Sequence, residues 1–171
     1  MSPLVYTGPP MITILLIRHG IAEDPKRQVP DAERPLTAEG WEKTRAAMKG
    51  LVRRGYLPTR AVSSPYKRAA ETLVCLKEAT SEGFPVGYWE GLVPEGKPRL
   101  AEDWLRAQLV EAPSSEILAM VSHQPFCSEL TRHLTGQWVD FKKSACTVIH
   151  FDGSVFSFGA HFTPGELRAD V

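Results

Sequence analysis

Nearly unbroken apolar, β-branched runs occupy Met11 to Ile17 and Ile117 to Val121, and each stops at a polar pair containing or preceding a histidine, Arg18-His19 and Ser122-His123. Short apolar runs of this kind predict strands buried on both faces, as in a largely parallel sheet. Between Ile21 and Pro35 the chain is charged and carries Pro25, Pro30 and Pro35, which predicts a surface loop. Thr37 then supplies an N-cap with Glu39 in the first turn, and Trp41, Met48, Leu51 and Val52 form a helical stripe ending at Gly55.

The alternation continues. Arg60 to Ser63 predicts a short strand, Ser64-Pro65 a break, and Ala69, Leu73, Leu76 and Ala79 one face of a helix. Glycine and proline between Ser81 and Pro98 predict loop, with a short strand near Val86 to Trp89, and Arg99 to Val110 predicts a further helix. Phe126 to Leu134 reads as a helix stopped by Gly136. Ala145 to Phe151 and Val155 to Phe162 flank Asp152-Gly153, which predicts an antiparallel hairpin with a type I′ turn, and the residues from Thr163 onward read as a frayed end.

Strands alternating with helices predict an α/β fold, a three-layer sandwich whose mostly parallel central sheet is flanked by helices and finishes in the C-terminal antiparallel hairpin. Ligands of such sheets bind beyond the carboxyl ends of the parallel strands. Arg18, His19, Arg68 and His123 all follow predicted strands, so they belong to one rim.

Length and charge narrow the picture. A chain of 171 residues fits a single domain, here 11–171, preceded by a leader, residues 1–10, whose Gly8, Pro9 and Pro10 predict flexibility ahead of a second potential start at Met11. Lysine plus arginine and aspartate plus glutamate both number 20, which gives no steering toward nucleic acid or an anionic membrane, so any anion site must be local. The run from Met11 is too short to span a bilayer. Cys75, Cys127 and Cys146 have neither metal nor disulfide spacing, and a reducing, cytoplasmic setting fits them.

The rim residues suit one chemistry. Guanidinium forks from Arg18 and Arg68 match the three non-bridging oxygens of a phosphoryl group. Neutral imidazole is a competent nucleophile near pH 7, so His19 can attack phosphorus to give a phosphohistidine that water then releases as phosphate. One His19 nitrogen must keep its lone pair while the other donates, most economically to a carbonyl in the turn around Gly20, a glycine that also lets phosphate approach the backbone. His123, if cationic, would stabilise equatorial charge in the transition state, and a role as cap of the following helix is compatible with that.

At these residues the chain resembles the histidine phosphatase superfamily, which shares the phosphoglycerate mutase-like fold. The resemblance rests on Arg18-His19-Gly20, on Arg34-Pro35-Leu36-Thr37 with Gly40, on Ser63-Ser64-Pro65-Tyr66-Lys67-Arg68-Ala69 with Glu71-Thr72, and on Ser122-His123-Gln124-Pro125. Within it the chain looks most like the small SixA-type phosphohistidine phosphatases, through its length, Arg-Pro-Leu-Thr and Leu92-Val93-Pro94. The resemblance implies His19 as nucleophile, Arg18, Arg68 and His123 as phosphate ligands, Arg34 reaching in from the first loop, and no metal or organic cofactor.

The substrate expected is a phosphohistidine-bearing protein, with inorganic phosphate as product, because only 55 positions separate Arg68 from His123 and little is left for a lid. Two alternatives stay open: a small-molecule phosphomonoesterase of the same superfamily, and a non-catalytic phosphate-binding module. The ester-cleaving reading needs a carboxylic acid as proton donor, and Glu82 and Glu90 are both candidates, neither selected. His133, His150 and His161 read as surface or packing residues, and Lys67 as solvated.

Overall fold

The computed structural model describes residues 11–169, so the leader predicted at 1–10 lies outside the described residues. Six strands, β1 (Ile12–Arg18), β2 (Arg60–Ser63), β3 (Val86–Tyr88), β4 (Ile117–Ser122), β5 (Cys146–Phe151) and β6 (Phe156–Phe162), form one sheet in the order β3-β2-β4-β1-β5-β6. The first four are mutually parallel and the last two antiparallel. The fold is thus the mixed α/β sandwich predicted, with its antiparallel pair at the C-terminal end.

Alternation along β1 divides the core. Ile12, Ile14 and Leu16 pack with Leu118 and Met120 of β4 against α3 (Pro98–Leu109) and α4 (Phe126–Thr135). Leu15 and Ile17 pack with Ala119 and Val121 on the other face, against α1 (Ala38–Arg53), α2 (Lys67–Glu78) and α5 (Pro164–Ala169). Successive strand residues point to opposite faces, so a strand buried on both sides must be apolar at every step. Thr37 caps α1, its hydroxyl accepting from the Gly40 amide at 2.9 Å.

Two local expectations are corrected. The type I′ turn predicted at Asp152-Gly153 is not formed. Gly153 alone in that turn has positive φ, +100°, and the Asp152 carboxylate accepts from the Ser154 and Val155 amides at 2.8 and 2.7 Å. That side-chain cap moves the bend one residue on, to Gly153-Ser154, with glycine in the first central position as type II′ turns require.

The second correction concerns the tail, which is a docked helix and not frayed. Thr163 and Glu166 form a capping box: the Thr163 hydroxyl accepts from the Glu166 amide at 3.2 Å, and Glu166 Oε1 accepts from the Thr163 hydroxyl at 2.9 Å and from its amide at 3.4 Å. Leu167 is 0% exposed, and Gly50 of α1 permits this approach, since a Cβ there would sit 1.8 Å from the Leu167 carbonyl oxygen.

Candidate active site

Arg18 of β1 is in register with Ser122 of β4, so His19 and His123 leave adjacent parallel strands side by side. Their ring centroids lie 5.1 Å apart. Arg68 enters from the first turn of α2, and its Nε lies 3.3 Å from His19 Nε2. His19, Arg68 and His123 are 7%, 4% and 1% exposed, so a buried imidazole pair shares its site with a buried guanidinium.

His19 Nδ1 lies 2.7 Å from the Gly20 carbonyl oxygen, which can only accept, so Nδ1 carries the proton and Nε2 keeps its lone pair toward Arg68. Burial, opposed by that backbone bond and reinforced by Arg68, Arg18 and Arg34, pushes the His19 pKa down to about 3. The ring is therefore neutral at pH 7. Gly20 is itself fixed, its amide donating to Thr72 Oγ1 at 3.0 Å, and Thr72 in turn donates to the Arg68 carbonyl at 2.8 Å.

The other imidazole is held by a side chain. His123 Nε2 lies 2.8 Å from Ser64 Oγ, which already accepts from the Tyr66 amide at 3.2 Å. The Nε2–Oγ contact serves either tautomer of the ring, and Nδ1 is a buried atom with no partner. Arg18 Nε is buried and unpartnered as well, while its NH1 donates to the Phe141 carbonyl at 2.8 Å. Buried polar atoms seldom lack partners, and the Arg18 Nε–H is a donor that an oxyanion would satisfy.

His123 departs from expectation in charge. Burial first, then His19 and Arg68, lower its pKa to about 2, so it is neutral and not cationic. A phosphoryl dianion would oppose that shift.

Gly20 supplies the carbonyl expected to orient His19, and it has a packing role besides. A Cβ there would meet Thr44 Oγ1 at 2.1 Å, so the glycine serves the packing of α1 against the strand end, and its carbonyl orients His19. Arg34 reaches the neighbourhood and its charge acts on His19, but its Nε donates to Asp31 Oδ1 at 2.8 Å and its NH1 to the Glu23 carbonyl at 2.6 Å. The Arg34 segment is anchored by Glu71, whose carboxylate accepts from the Leu36 amide at 2.8 Å.

Chain direction separates the candidate acids. Glu82 follows the end of α2 remote from Arg68 and precedes β3, which puts it at the opposite end of the sheet. Glu90 follows β3 on the site's side, and its charge together with that of Glu95 acts on Tyr66. The Tyr66 ring stacks edge-on against His123 at 5.0 Å.

Residues unremarked in the sequence are Asp31, the Thr44–Ser144 hydroxyl pair at 2.9 Å, and Ser144 itself, held at φ +68° with its amide near the Arg18 and His19 carbonyls. Among the described residues the three cysteines are buried free thiols, and no group of three or more His, Cys, Asp or Glu could hold a metal ion. No helix there is long and apolar enough to cross a membrane. His133 pairs with Glu102 at 2.8 Å, and His161 pairs with Thr147 at 2.7 Å and packs edge-on against Phe141, whose carbonyl accepts from Arg18.

Residues 14–94 match the family model of the histidine phosphatase superfamily, branch 1. An uncharacterized protein of Picosynechococcus sp. is 30% identical over 135 residues, 77% of this chain and 80% of that protein. The chain belongs to the histidine phosphatase superfamily, and so to a class of phosphatase enzymes.

Within that family it is of the SixA type. A structure of the protein histidine phosphatase SixA complexed with tungstate superposes with TM-score 0.83 at 25% identity, covering 91% of this chain and 99% of that one. A candidate phosphohistidine phosphatase SixA from Agrobacterium tumefaciens gives 0.76 at 17%, covering 90% and 98%. A phosphoglycerate mutase from Bacillus anthracis shares the fold, with TM-score 0.70 at 12% identity over 95% of this chain and 98% of that one.

Proposed function

We propose that this protein hydrolyses phosphohistidine on a protein substrate through a covalent phosphohistidine on His19. The observation that carries the reading is the His19 tautomer: Nδ1 donates to the Gly20 carbonyl, and Nε2 presents a lone pair among Arg68, Arg18 and His123. His19 Nε2 attacks phosphorus, the phosphorus–nitrogen bond of the substrate breaks with its electron pair going to nitrogen, and the substrate ring, already protonated on its other nitrogen, departs as neutral imidazole. Water then attacks the phosphorylated His19, releasing phosphate and restoring the neutral ring.

Arg68, and Arg18 through its unpartnered Nε, bind the non-bridging oxygens. They supply the positive charge that a metal supplies in other phosphoryl-transfer sites, so no metal is required. His123 donates from Nδ1 to a third oxygen, and Arg34 adds charge from the first loop. Imidazole is a good leaving group, so this reaction works without a strong proton donor. The tungstate-bound relative is described as a protein histidine phosphatase, which supports a phosphoprotein substrate for this chain, and the three free thiols fit a reducing, cytoplasmic setting.

Purified protein is expected to release phosphate from a phosphohistidine-bearing protein without added metal, and His19→Ala is expected to abolish this. Full activity in that variant would rule out the nucleophile. The position of Glu90 and Glu95 near Tyr66 favours one second reading, hydrolysis of a small phosphate ester with one of them as acid. Glu90→Gln and Glu95→Gln would then each be assayed on ester substrates, and loss of ester hydrolysis without loss of phosphohistidine hydrolysis identifies the donor. Phosphate binding with no turnover of any substrate would instead mark a binding module.

A further inference from the structure

We propose that Asp31 is an internal anion that bridges two arginines of the site and is displaced when a phosphoryl group enters. The proposal rests on the reading of this cluster as a phosphoryl site. Asp31 opens a single 3₁₀ turn, Asp31–Glu33, in the loop between β1 and α1. Its Oδ1 accepts from Arg34 Nε at 2.8 Å and its Oδ2 from Arg68 NH2 at 3.1 Å, so one carboxylate bridges two guanidinium groups. The Asp31 carbonyl accepts from Arg68 NH1 at 2.8 Å.

Three of the five N–H donors of Arg68 are therefore taken: one on NH1 and one on NH2 by Asp31, and that on Nε by His19 Nε2. A phosphoryl group that takes the N–H groups used by Asp31 must displace it, and at the two remaining donors its charge still competes with the carboxylate for the guanidinium. Donation from Nε also ties up the lone pair that His19 needs for attack. His19 itself is 7% exposed.

The partners differ in freedom to move. Arg68 is 4% exposed and packed in α2, whereas the Asp31 side chain is 52% exposed on a proline-flanked loop, so the carboxylate is the partner that leaves, into water. Two oxygens of a phosphoryl group reproduce the bridge that Asp31 makes, and a phosphoryl carries about −1.5 to −2 against the single charge of a carboxylate. A dianionic phosphoryl therefore wins the competition, while singly charged anions contend with Asp31 on even terms. The same competition helps expel product phosphate.

Inorganic phosphate binding to the purified protein, followed by calorimetry, tests this without reference to turnover. Asp31→Asn is expected to bind phosphate about tenfold more tightly than wild type, which corresponds to about 1.4 kcal/mol. Glu33→Gln, which removes a charge from the same turn away from both arginines, is expected to leave the affinity unchanged. Equal or weaker binding in Asp31→Asn would overturn the proposal and make Asp31 a mere positioning residue.

A measurement on the wild type needs no variant. Saturating phosphate is expected to speed hydrogen exchange at the Glu33 and Arg34 amides, which donate to the Pro30 and Asp31 carbonyls. Unchanged or slower exchange would contradict displacement. A protein that binds phosphate as predicted but never hydrolyses phosphohistidine would refute the proposed activity and leave the competition standing.

Discussion

After β1 the chain runs through residues 19–37 before α1 begins, whereas after β4 it passes through 123–125 and enters α4 directly. Both connections start with a histidine of the site, yet the two are built to different ends. His19 is oriented by a main-chain carbonyl, which no side-chain substitution at Gly20 removes, and its loop carries the exposed Asp31. His123 is oriented by a side chain, Ser64, and no comparable loop follows it. On the proposed mechanism the long connection supplies the reactive nitrogen and a movable competitor. The short one supplies a fixed donor.

Three expected outcomes sharpen this contrast. His123→Ala removes one oxyanion donor and is expected to lower kcat about 10²–10³-fold on phosphohistidine while leaving measurable turnover. Loss as complete as that of His19→Ala would break the division of roles between the two connections. Ser64→Ala leaves the His123 ring present but unanchored, and its kcat is expected to fall about tenfold, the order of one lost hydrogen bond to a reacting-site group. An unchanged kcat would show that Tyr66 and the strand end suffice to hold the ring.

The third outcome concerns acid stability. Both imidazoles have folded-state pKa values below the ordinary 6.5, about 3 for His19 and about 2 for His123, so below pH 6.5 the unfolded chain binds more protons than the folded one. Their contribution is fully present above pH 6.5 and is lost as pH falls toward those values. The melting temperature should drop across this window, and less steeply in His123→Gln, which cannot titrate. Parallel curves for the two proteins would show that His123 is not buried as a neutral ring.

Sheet and site were legible in the sequence to different depths. The strands were readable because Met11 to Ile17 and Ile117 to Val121 are apolar at nearly every step, and the histidines because they stand where those runs stop. Arg68 followed from a helix start after a strand. What depends on a partner distant in sequence was not legible: the bridge from Asp31 to Arg68 spans 37 positions, and the need for glycine at position 20 comes from Thr44. Glu82 and Glu90 differ only through the direction of β3. The tail is another case, since Thr163-Pro164-Gly165-Glu166 carries a capping-box signal that a six-residue helix makes easy to pass over. The hairpin bend shifted because Asp152 caps amides with its side chain.

Rapid acid-free quenching of a single turnover with labelled phosphohistidine protein, followed by mass spectrometry, addresses the central claim most directly. The account predicts a transient phosphoenzyme that is acid-labile and base-stable, with the phosphoryl group on His19. Turnover with no such intermediate, or with the label on any other residue, would contradict it.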